Sequence, residues 1–99
     1  MVQVKWTKLA IDDLKGIYDY ISKDSVKYAK IEIIKLKVRT NILKQHAYAG
    51  KLVPEMNNEI FRELIEGNYR IIYKIINTET IHILTIHHSA RDLTRRQID

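Results

Sequence analysis

The 99-residue sequence contains no cysteine, which removes several kinds of chemistry at once. A chain without thiols has no disulfide framework, no thiolate metal site and no thiol nucleophile, and it suits a reducing cytoplasm. Long apolar runs are absent as well, since the longest fall far short of the roughly 20 residues that cross a bilayer. The first residues do not form the charged and apolar regions of a signal peptide. We therefore expect a cytoplasmic protein without membrane association.

Hydrophobic content and charge indicate the class of the protein. With 45% hydrophobic residues and no internal repeat, residues 1–99 are expected to form one domain around one core. Lysine and arginine number 17 against 12 aspartate and glutamate, which gives a net charge of +5. That charge favours an acidic partner, either nucleic acid or an acidic protein segment, although a solvated basic surface without a partner explains it equally well.

The N-terminal half predicts a strand followed by two helices. Apolar and polar residues alternate over residues 2–6, as in a half-buried strand. Thr7 is a helix-capping residue type, and apolar residues then recur at steps of three and four, which predicts an amphipathic helix over residues 7–22. Ser25 can cap a second helix that continues to about residue 45 and forms a helical hairpin with the first.

The second helix carries more apolar residues than one stripe needs. Its main stripe consists of Val26, Ala29, Ile33, Leu36 and Leu43. A further apolar set consists of Ile31, Ile34, Val38 and Ile42. We interpret that set as a widening of the buried stripe. Three lysines seven residues apart, Lys30, Lys37 and Lys44, are placed on the solvent side, where solvation explains them better than nucleic-acid binding because no aromatic residue is interleaved.

Residues 62–75, RELIEGNYRIIYKI, have the pattern of a β-hairpin. Its turn is predicted at Gly67 and Asn68, two residue types that tolerate a positive φ. The second strand of the hairpin is apolar on both faces. We therefore expect it in the middle of a sheet, with helices on one side and a tail or a partner on the other.

The last predicted strand covers residues 81–86 and ends at His87 and His88, which alternation places on opposite faces. Three apolar side chains are assigned to the sheet face opposite the helices: Ile72, Leu84 and Ile86. Because these groups would be exposed in the isolated protein, we expect it to be stable chiefly as a complex. Residues 89–99 are expected to form either a frayed tail or a short helix over the sheet.

The order of these elements predicts an α+β fold, β-α-α-β-β-β. A helical hairpin covers one face of a mainly antiparallel sheet of about four strands. Residues 46–58, which contain Gly50 and Pro54, are predicted to be irregular.

Four segments in order carry a resemblance that covers essentially the whole chain. They are KWTKLAIDDLKGIYDYI near the start, AGKLVPE at residues 49–55, RELIEGNYRIIYKI in the centre and ILTIHHSARD at residues 83–92. With this spacing the chain resembles the RelE/ParE superfamily, the toxic halves of bacterial type II toxin–antitoxin modules. The resemblance implies growth arrest, a concave basic sheet face for the target, and a hetero-oligomer in which the antitoxin tail wraps the toxin.

The superfamily contains two kinds of toxin, and the resemblance leaves both open. By resemblance to the ribosome-dependent RNases of the YoeB branch, Glu55 matches the general base, Arg70 the phosphate-stabilising arginine and His88 the general acid. Such proton transfers beside a guanidinium would cleave mRNA without a metal or cofactor. The lysines that RelE presents before the turn are replaced here by Phe61 and Glu63.

The ParE branch, whose members poison DNA gyrase, is similar to the chain in its HHSARD segment and its central hairpin, and we favour it. The protein would then be a non-enzymatic toxin. In that case we expect target binding to depend on four arginines, Arg70, Arg91, Arg95 and Arg96. A third interpretation is a non-catalytic basic module whose only partner is an antitoxin-like protein.

Each candidate residue also has a structural explanation. Glu55 can be a solvated loop acid, and Arg70 can pair with Glu63 or Glu66 across the hairpin. The two adjacent histidines can be partly buried packing residues. Because they point to opposite faces and no acidic or thiol ligand accompanies them, we predict no metal site.

Overall fold

A computed structural model of the chain describes residues 1–96 and 98 and, of Arg95, the backbone alone. Its elements are β1 (Gln3–Trp6), α1 (Lys8–Ser22), α2 (Val26–Arg39), β2 (Lys51–Leu52), β3 (Phe61–Glu66), β4 (Tyr69–Asn77) and β5 (Thr80–His88). Short 3₁₀ helices cover Thr40–Lys44 and Leu93–Arg95. The first of these continues α2 in a tighter form, which accounts for a predicted helix end near residue 45.

The strands form one sheet in the order β1-β5-β4-β3-β2. β1 runs parallel to β5, and the other neighbouring pairs are antiparallel. The predicted α+β architecture is confirmed, but the sheet has five strands rather than about four. The additional strand is β2, which pairs Lys51 with Glu63 and Leu52 with Arg62 and comes from the segment predicted to be irregular.

Local hydrogen bonds explain where the two helices begin. The Thr7 hydroxyl oxygen accepts from the Ala10 N–H at 3.2 Å and donates to the Ile83 carbonyl at 2.8 Å, which ties the start of α1 to β5. The Ser25 hydroxyl accepts from the Tyr28 N–H at 3.0 Å. Both predicted caps are confirmed, and each satisfies a backbone donor that the first helical turn leaves free.

The central hairpin turns at the predicted dipeptide. Gly67 has a φ of 57°, and no other described residue has a positive φ. A positive φ at the first central position alone is the requirement of a type II′ turn, which places glycine at that position. The turn brings β3 and β4 into register along their length, with Glu66 opposite Tyr69 and Phe61 opposite Lys74.

A second glycine is required by close packing. The Gly50 N–H donates to the Tyr73 hydroxyl at 2.9 Å, and that hydroxyl donates to the Ala47 carbonyl at 2.8 Å. A Cβ atom at Gly50 would lie 2.6 Å from the Glu63 carbonyl oxygen, a distance that backbone atoms cannot accommodate. The segment between α2 and β3 is therefore tied to the centre of the sheet at this point.

The two faces of the sheet bury different apolar clusters. The cluster beneath the helices includes Leu14, Leu36, Leu43, Leu64, Ile71, Tyr73, Ile75, Ile81, Ile83 and Ile86. The cluster on the opposite face consists of Val53, Phe61, Ile72, Leu84, Leu93 and Ile98. Because Leu93 and Ile98 follow β5, the end of the chain covers this face. The expectation that Ile72 and Leu84 are exposed is therefore wrong.

The assignment of Ile86 to the outer face is also wrong. The register places Ile72 opposite Thr85 and Tyr73 opposite Ile83, so that Leu84 is an extra residue in β5. Such a β-bulge reverses the alternation of side chains beyond it. Ile86 consequently packs beneath the helices rather than beside Leu84.

α2 buries only one of its apolar stripes. Ala29 and Leu36 on α2 are fully buried, as is Leu43 on the 3₁₀ helix that continues it, whereas Val26 at the start of the same stripe is 50% exposed. The second set remains exposed, at 40% for Ile31, 60% for Ile34, 57% for Val38 and 41% for Ile42. Its interpretation as a widening of the buried stripe is therefore wrong, because these residues lie on the side of the helix turned away from the sheet.

Candidate functional site

Arg70 is the centre of an ion-pair cluster on the sheet face opposite the helices. Its side chain is only 11% exposed. Nη1 and Nη2 bind the two carboxylate oxygens of Glu55 at 2.7 and 2.8 Å, a bidentate arrangement. Nε and Nη2 donate to Glu63 Oε2 at 3.1 and 2.5 Å. All three guanidinium nitrogens therefore bind carboxylate oxygens.

Three elements bring this cluster together. Glu63 on β3 sits diagonally across the hairpin from Arg70, one of the two pairings considered from the sequence, and its side chain is 3% exposed. Glu55 comes from the segment after β2 and retains 27% exposure. Removing these charges from water is offset by their mutual hydrogen bonds, since each partner would be costly to bury alone.

The pairing changes the acid–base properties of both partners. Hydrogen bonds from Arg70 lower the pKa of the Glu55 carboxyl from 4.5 to about 2, against an opposing contribution from burial. The same hydrogen bonds raise the pKa of the Arg70 guanidinium. Glu55 is therefore a stable carboxylate near neutral pH and a weak proton acceptor.

The structure does not bring His88 to this cluster. His88 lies opposite Tyr69 in the register, and the two rings meet edge to face with centroids 5.5 Å apart. Its Nδ1 accepts from the Ala90 N–H at 3.1 Å. His87, which lies opposite Arg70, is the histidine on the cluster's face. The predicted placement of the two histidines on opposite faces is confirmed, but the bulge in β5 exchanges their positions relative to Arg70.

His87 is 2% exposed and is held by the end of the chain. Its Nε2 lies 3.0 Å from the Arg91 carbonyl oxygen, and its Nδ1 lies 3.5 Å from Arg96 Nη1. A neutral ring that donates from Nε2 and accepts at Nδ1 satisfies both contacts. His87 therefore fixes the direction in which the chain leaves β5.

The C-terminal strap, defined as residues 89–96 with Ile98, lies across the sheet. Arg96 Nη2 donates to Asp13 Oδ1 at 2.9 Å, which ties the strap to α1. The other Asp13 oxygen accepts from the Ile86 N–H at 3.1 Å and from the Thr85 hydroxyl. Of the two predictions for residues 89–99, the short helix over the sheet is confirmed for the described part, which includes the 3₁₀ helix Leu93–Arg95, whereas residues 97 and 99 lie outside the described residues.

The predicted target-binding arginines therefore lie in different environments. Arg70 is enclosed by carboxylates, and Arg96 is half-buried in its ion pair with Asp13. Arg91 is exposed. The side chain of Arg95 lies outside the described part of the chain. Among the described side chains of the strap, Arg91 is thus the predicted contact that faces solvent directly.

A groove of about 850 Å³ opens between α1 and the strap. Its walls include Tyr20, Tyr69, His88 and Arg91. Sequence reasoning missed Asp13, which lines this groove, because it was assigned with several other charged residues to the polar side of α1. No signal in the sequence alone distinguishes Asp13 from its neighbour Asp12.

Residues 1–96 and 98 contain neither a cluster of metal-binding side chains nor a membrane-spanning helix. No three His, Asp or Glu side chains in that part of the chain are placed to hold one metal ion. Its helices are too short or too polar to cross a bilayer.

Comparison with known proteins identifies relatives along nearly the full chain. The family model for the ParE toxin of the type II toxin–antitoxin system parDE matches residues 4–93. Toxin RelE2 of Caulobacter vibrioides is 32% identical over 91 residues, which cover 92% of this chain and 99% of that protein.

Solved structures share the fold of this chain. The chromosomal ParDE toxin–antitoxin system from P. aeruginosa matches with a TM-score of 0.73 and 26% identity, covering 89% of this chain and 96% of that one. The toxin–antitoxin complex RelBE2 from Mycobacterium tuberculosis shares the fold, with a TM-score of 0.55 and 22% identity over 88% of this chain and 96% of that one. The chain therefore belongs to the ParE toxin family of type II toxin–antitoxin systems, within the RelE/ParE superfamily.

Proposed function

We propose that the protein arrests growth by binding and inhibiting DNA gyrase and that a cognate antitoxin neutralises it. The observation that carries the proposal is the state of Arg70, whose three nitrogens are all bound by Glu55 and Glu63. A phosphorane-stabilising arginine needs donors aimed at the reacting phosphate, and here those donors are occupied. Membership of the ParE family also supports a toxin that acts by binding its target rather than by catalysis.

The acid–base state of the cluster also argues for binding over catalysis. A general base acts best when its pKa lies near the working pH. The pKa of Glu55, at about 2, is far below that range, and His88 is on the other face of the sheet. The exposed Arg91 and the net charge of +5 instead suit electrostatic recognition of an acidic protein surface.

The antitoxin is part of the proposal because relatives are found in toxin–antitoxin systems. Two similar structures are of a ParDE system and of a RelBE2 complex. We infer a toxin–antitoxin hetero-oligomer for this chain as well, with an antitoxin that carries acidic segments to match the basic toxin. Association with that antitoxin should slow as ionic strength rises.

The proposal is tested with purified components. The protein is added to DNA gyrase in a supercoiling assay and, separately, to ribosomes translating a defined mRNA. We expect loss of supercoiling and an intact mRNA, with both activities measured again after addition of the product of an adjacent antitoxin gene. Cleaved mRNA with unaffected supercoiling would overturn the proposal.

One observation favours a second candidate, a ribosome-dependent endoribonuclease. Glu55, Arg70 and His87 share one face of the sheet, so a carboxylate, a guanidinium and an imidazole lie near one another. For that chemistry the target would have to displace the carboxylates from Arg70 and move the strap away from His87. The mRNA assay above tests this candidate directly.

A further inference from the structure

The groove between α1 and the strap is lined by three rings that come from different elements. Tyr20 lies in α1, Tyr69 begins β4 and His88 ends β5. Tyr20 is 72% exposed, so its ring is available to another molecule. Gly16, one helical turn earlier in α1, contributes no side chain to the lining and leaves room beside that ring. We call this opening the aromatic groove.

The acidic residues that line the aromatic groove are already engaged. The Asp12 carboxylate pairs with Lys8 at 2.9 Å, and the Asp13 carboxylate pairs with Arg96 at the same distance. The Asp92 carboxylate caps the 3₁₀ helix that follows it, where it accepts a backbone N–H. Each carboxylate in the lining therefore already accepts a hydrogen bond from the protein.

The groups left free in the aromatic groove are hydrogen-bond donors. Among the described residues, none forms an ion pair with the exposed Arg91 guanidinium. His88 accepts the Ala90 N–H at Nδ1, so the neutral ring carries its proton on Nε2 and can donate it to a ligand. Burial, followed by the nearby Glu32 carboxylate outside the lining, raises the pKa of Tyr69, so its hydroxyl stays protonated. The groove thus offers a positive charge and further donors beside aromatic rings.

We propose that the aromatic groove binds a nucleotide, with the base stacked on the Tyr20 ring and the phosphate bound by Arg91 and His88. A nucleotide joins a flat ring to an anionic group, and these two parts match an aromatic ring and a free guanidinium. The groove volume of about 850 Å³ lies within the usual range of small-molecule sites. An acidic peptide segment would match Arg91 but would leave the rings without a stacking partner.

This inference goes beyond the proposed function, because it assigns a ligand to the groove rather than an effect on gyrase. Arg91 is the residue common to both. The experiment below measures ligand binding without gyrase, so its failure and the failure of the proposed function are separate results.

The test measures binding to the full chain by isothermal titration calorimetry. The probes are adenosine monophosphate, adenosine, inorganic phosphate, a short single-stranded oligonucleotide and a peptide of alternating glutamate and tyrosine. We expect adenosine monophosphate to bind on the order of tenfold or more tighter than adenosine or phosphate, because the site uses both parts of the nucleotide. An oligonucleotide that binds tighter still identifies the ligand as a nucleotide within a strand, and equal or weaker binding identifies a free nucleotide.

Three outcomes of this titration would overturn the proposal. The first is that neither adenosine monophosphate nor the oligonucleotide binds. The second is that adenosine or phosphate alone binds as tightly as the monophosphate. The third is that the peptide binds more tightly than either nucleotide probe, which would make the groove a protein-binding surface.

Variants locate the bound nucleotide. Tyr20→Leu removes the exposed ring and should weaken binding of adenosine monophosphate on the order of tenfold. Arg91→Gln removes the free charge and should lower the affinity for the monophosphate to that for adenosine, while adenosine binding stays the same. Tyr28→Leu is the matched control, since Tyr28 is 62% exposed on α2 and does not line the groove. Equal affinities of the Tyr20→Leu and Tyr28→Leu proteins, or an Arg91→Gln protein that binds as the unaltered chain does, would contradict the assignment.

Discussion

Arg70 on β4 and His87 on β5 lie directly opposite one another, on the sheet face that the C-terminal strap covers. Both are largely withdrawn from solvent, and each is held by a separate set of partners. Glu55 and Glu63 bind Arg70, whereas the strap binds His87. A substitution at this face therefore acts on folding as well as on function, and the two effects have to be measured apart.

Replacing Arg70 by alanine should destabilise the protein. The change leaves the Glu63 carboxylate buried without its guanidinium partner, and breaking such a pair costs about 3–5 kcal/mol in the free energy of unfolding. Urea denaturation measures this quantity. The double variant Glu63→Leu, Arg70→Met is the control, and it should be more stable than Arg70→Ala because no unpaired charge remains buried. An Arg70→Ala protein as stable as the unaltered chain would contradict the role assigned to the cluster.

Glu55→Ala and His88→Ala separate a binding toxin from an RNase. A general base or acid contributes on the order of a hundredfold or more in rate, so an RNase with the base and acid that the resemblance implies, Glu55 and His88, would lose most of its toxicity with either change. We expect toxicity to remain within a few-fold of the unaltered chain, measured as growth arrest after induction at equal expression. Glu79→Ala, which alters an exposed acid in the turn between β4 and β5, is the control. A selective loss with Glu55→Ala or His88→Ala would favour the RNase.

Acidification should lower the free energy of unfolding because Glu55 becomes protonated and its ion pair is lost. Its pKa falls from 4.5 to about 2 on folding, so its ion pair stabilises the protein fully above pH 4.5 and this stabilisation is lost as the pH decreases towards 2. For a side chain 27% exposed, the expected contribution is on the order of 2 kcal/mol. The difference in unfolding free energy between the unaltered chain and Glu55→Gln should shrink between pH 5 and pH 2. A difference that stays constant over that range would refute the assignment.

Two substitutions in the strap should affect different properties, one the stability of the protein and the other its inhibition of gyrase. Leu93→Ala removes a side chain packed against Ile72 and Leu84, and should cost about 2–3 kcal/mol of unfolding free energy while exposing apolar surface. Arg91→Ala alters an exposed residue, so stability should stay the same while inhibition of gyrase weakens. Denaturation measures the stability of both variants, and a supercoiling assay measures how strongly each inhibits gyrase. Equal inhibition by Arg91→Ala and the unaltered chain would remove Arg91 from the target-binding surface.

Substitutions at the contact between Gly50 and Tyr73 should destabilise the protein. Tyr73→Phe removes the hydroxyl that joins the Gly50 N–H to the Ala47 carbonyl, at an expected cost of about 1–3 kcal/mol. Gly50→Ala should be more severe, because the added Cβ meets the backbone of β3. Thermal denaturation of both variants tests whether Gly50→Ala is the more destabilising of the two. Gly50→Ala at wild-type stability would show that the loop moves freely, and Gly16→Ala, where an added Cβ meets nothing, is the control.

Periodicity predicted the helices, their caps and the hairpin, because these depend on residues close in sequence. It could not locate the extra residue at Leu84, since a β-bulge is visible only when both strands are paired. That single residue decides which histidine faces Arg70. The pairing of Glu63 with Arg70 was available from the hairpin register, whereas the approach of Glu55 depends on the path of the preceding loop.

Amphipathic patterns were less informative where a surface has two possible partners. An apolar row reads the same whether it faces the core or a second protein, so Ile34 and Val38 were assigned to the interior. Conversely, the strap is mostly polar, and among its described residues Leu93 and Ile98 are the apolar side chains that cover the sheet. Tertiary packing decides both cases.

The parallel pairing of β1 with β5 also sets the order in which the protein can form. The Thr7 hydroxyl bonds to the Ile83 carbonyl across 76 positions of sequence, and β5 separates β1 from the rest of the sheet. During synthesis β1 therefore has no neighbouring strand to pair with until residues 80–88 of β5 have been made. Because such distant contacts require closure of a long loop, folding should be slow relative to that of a local hairpin. A nascent chain therefore cannot complete its sheet until β5 has been synthesised.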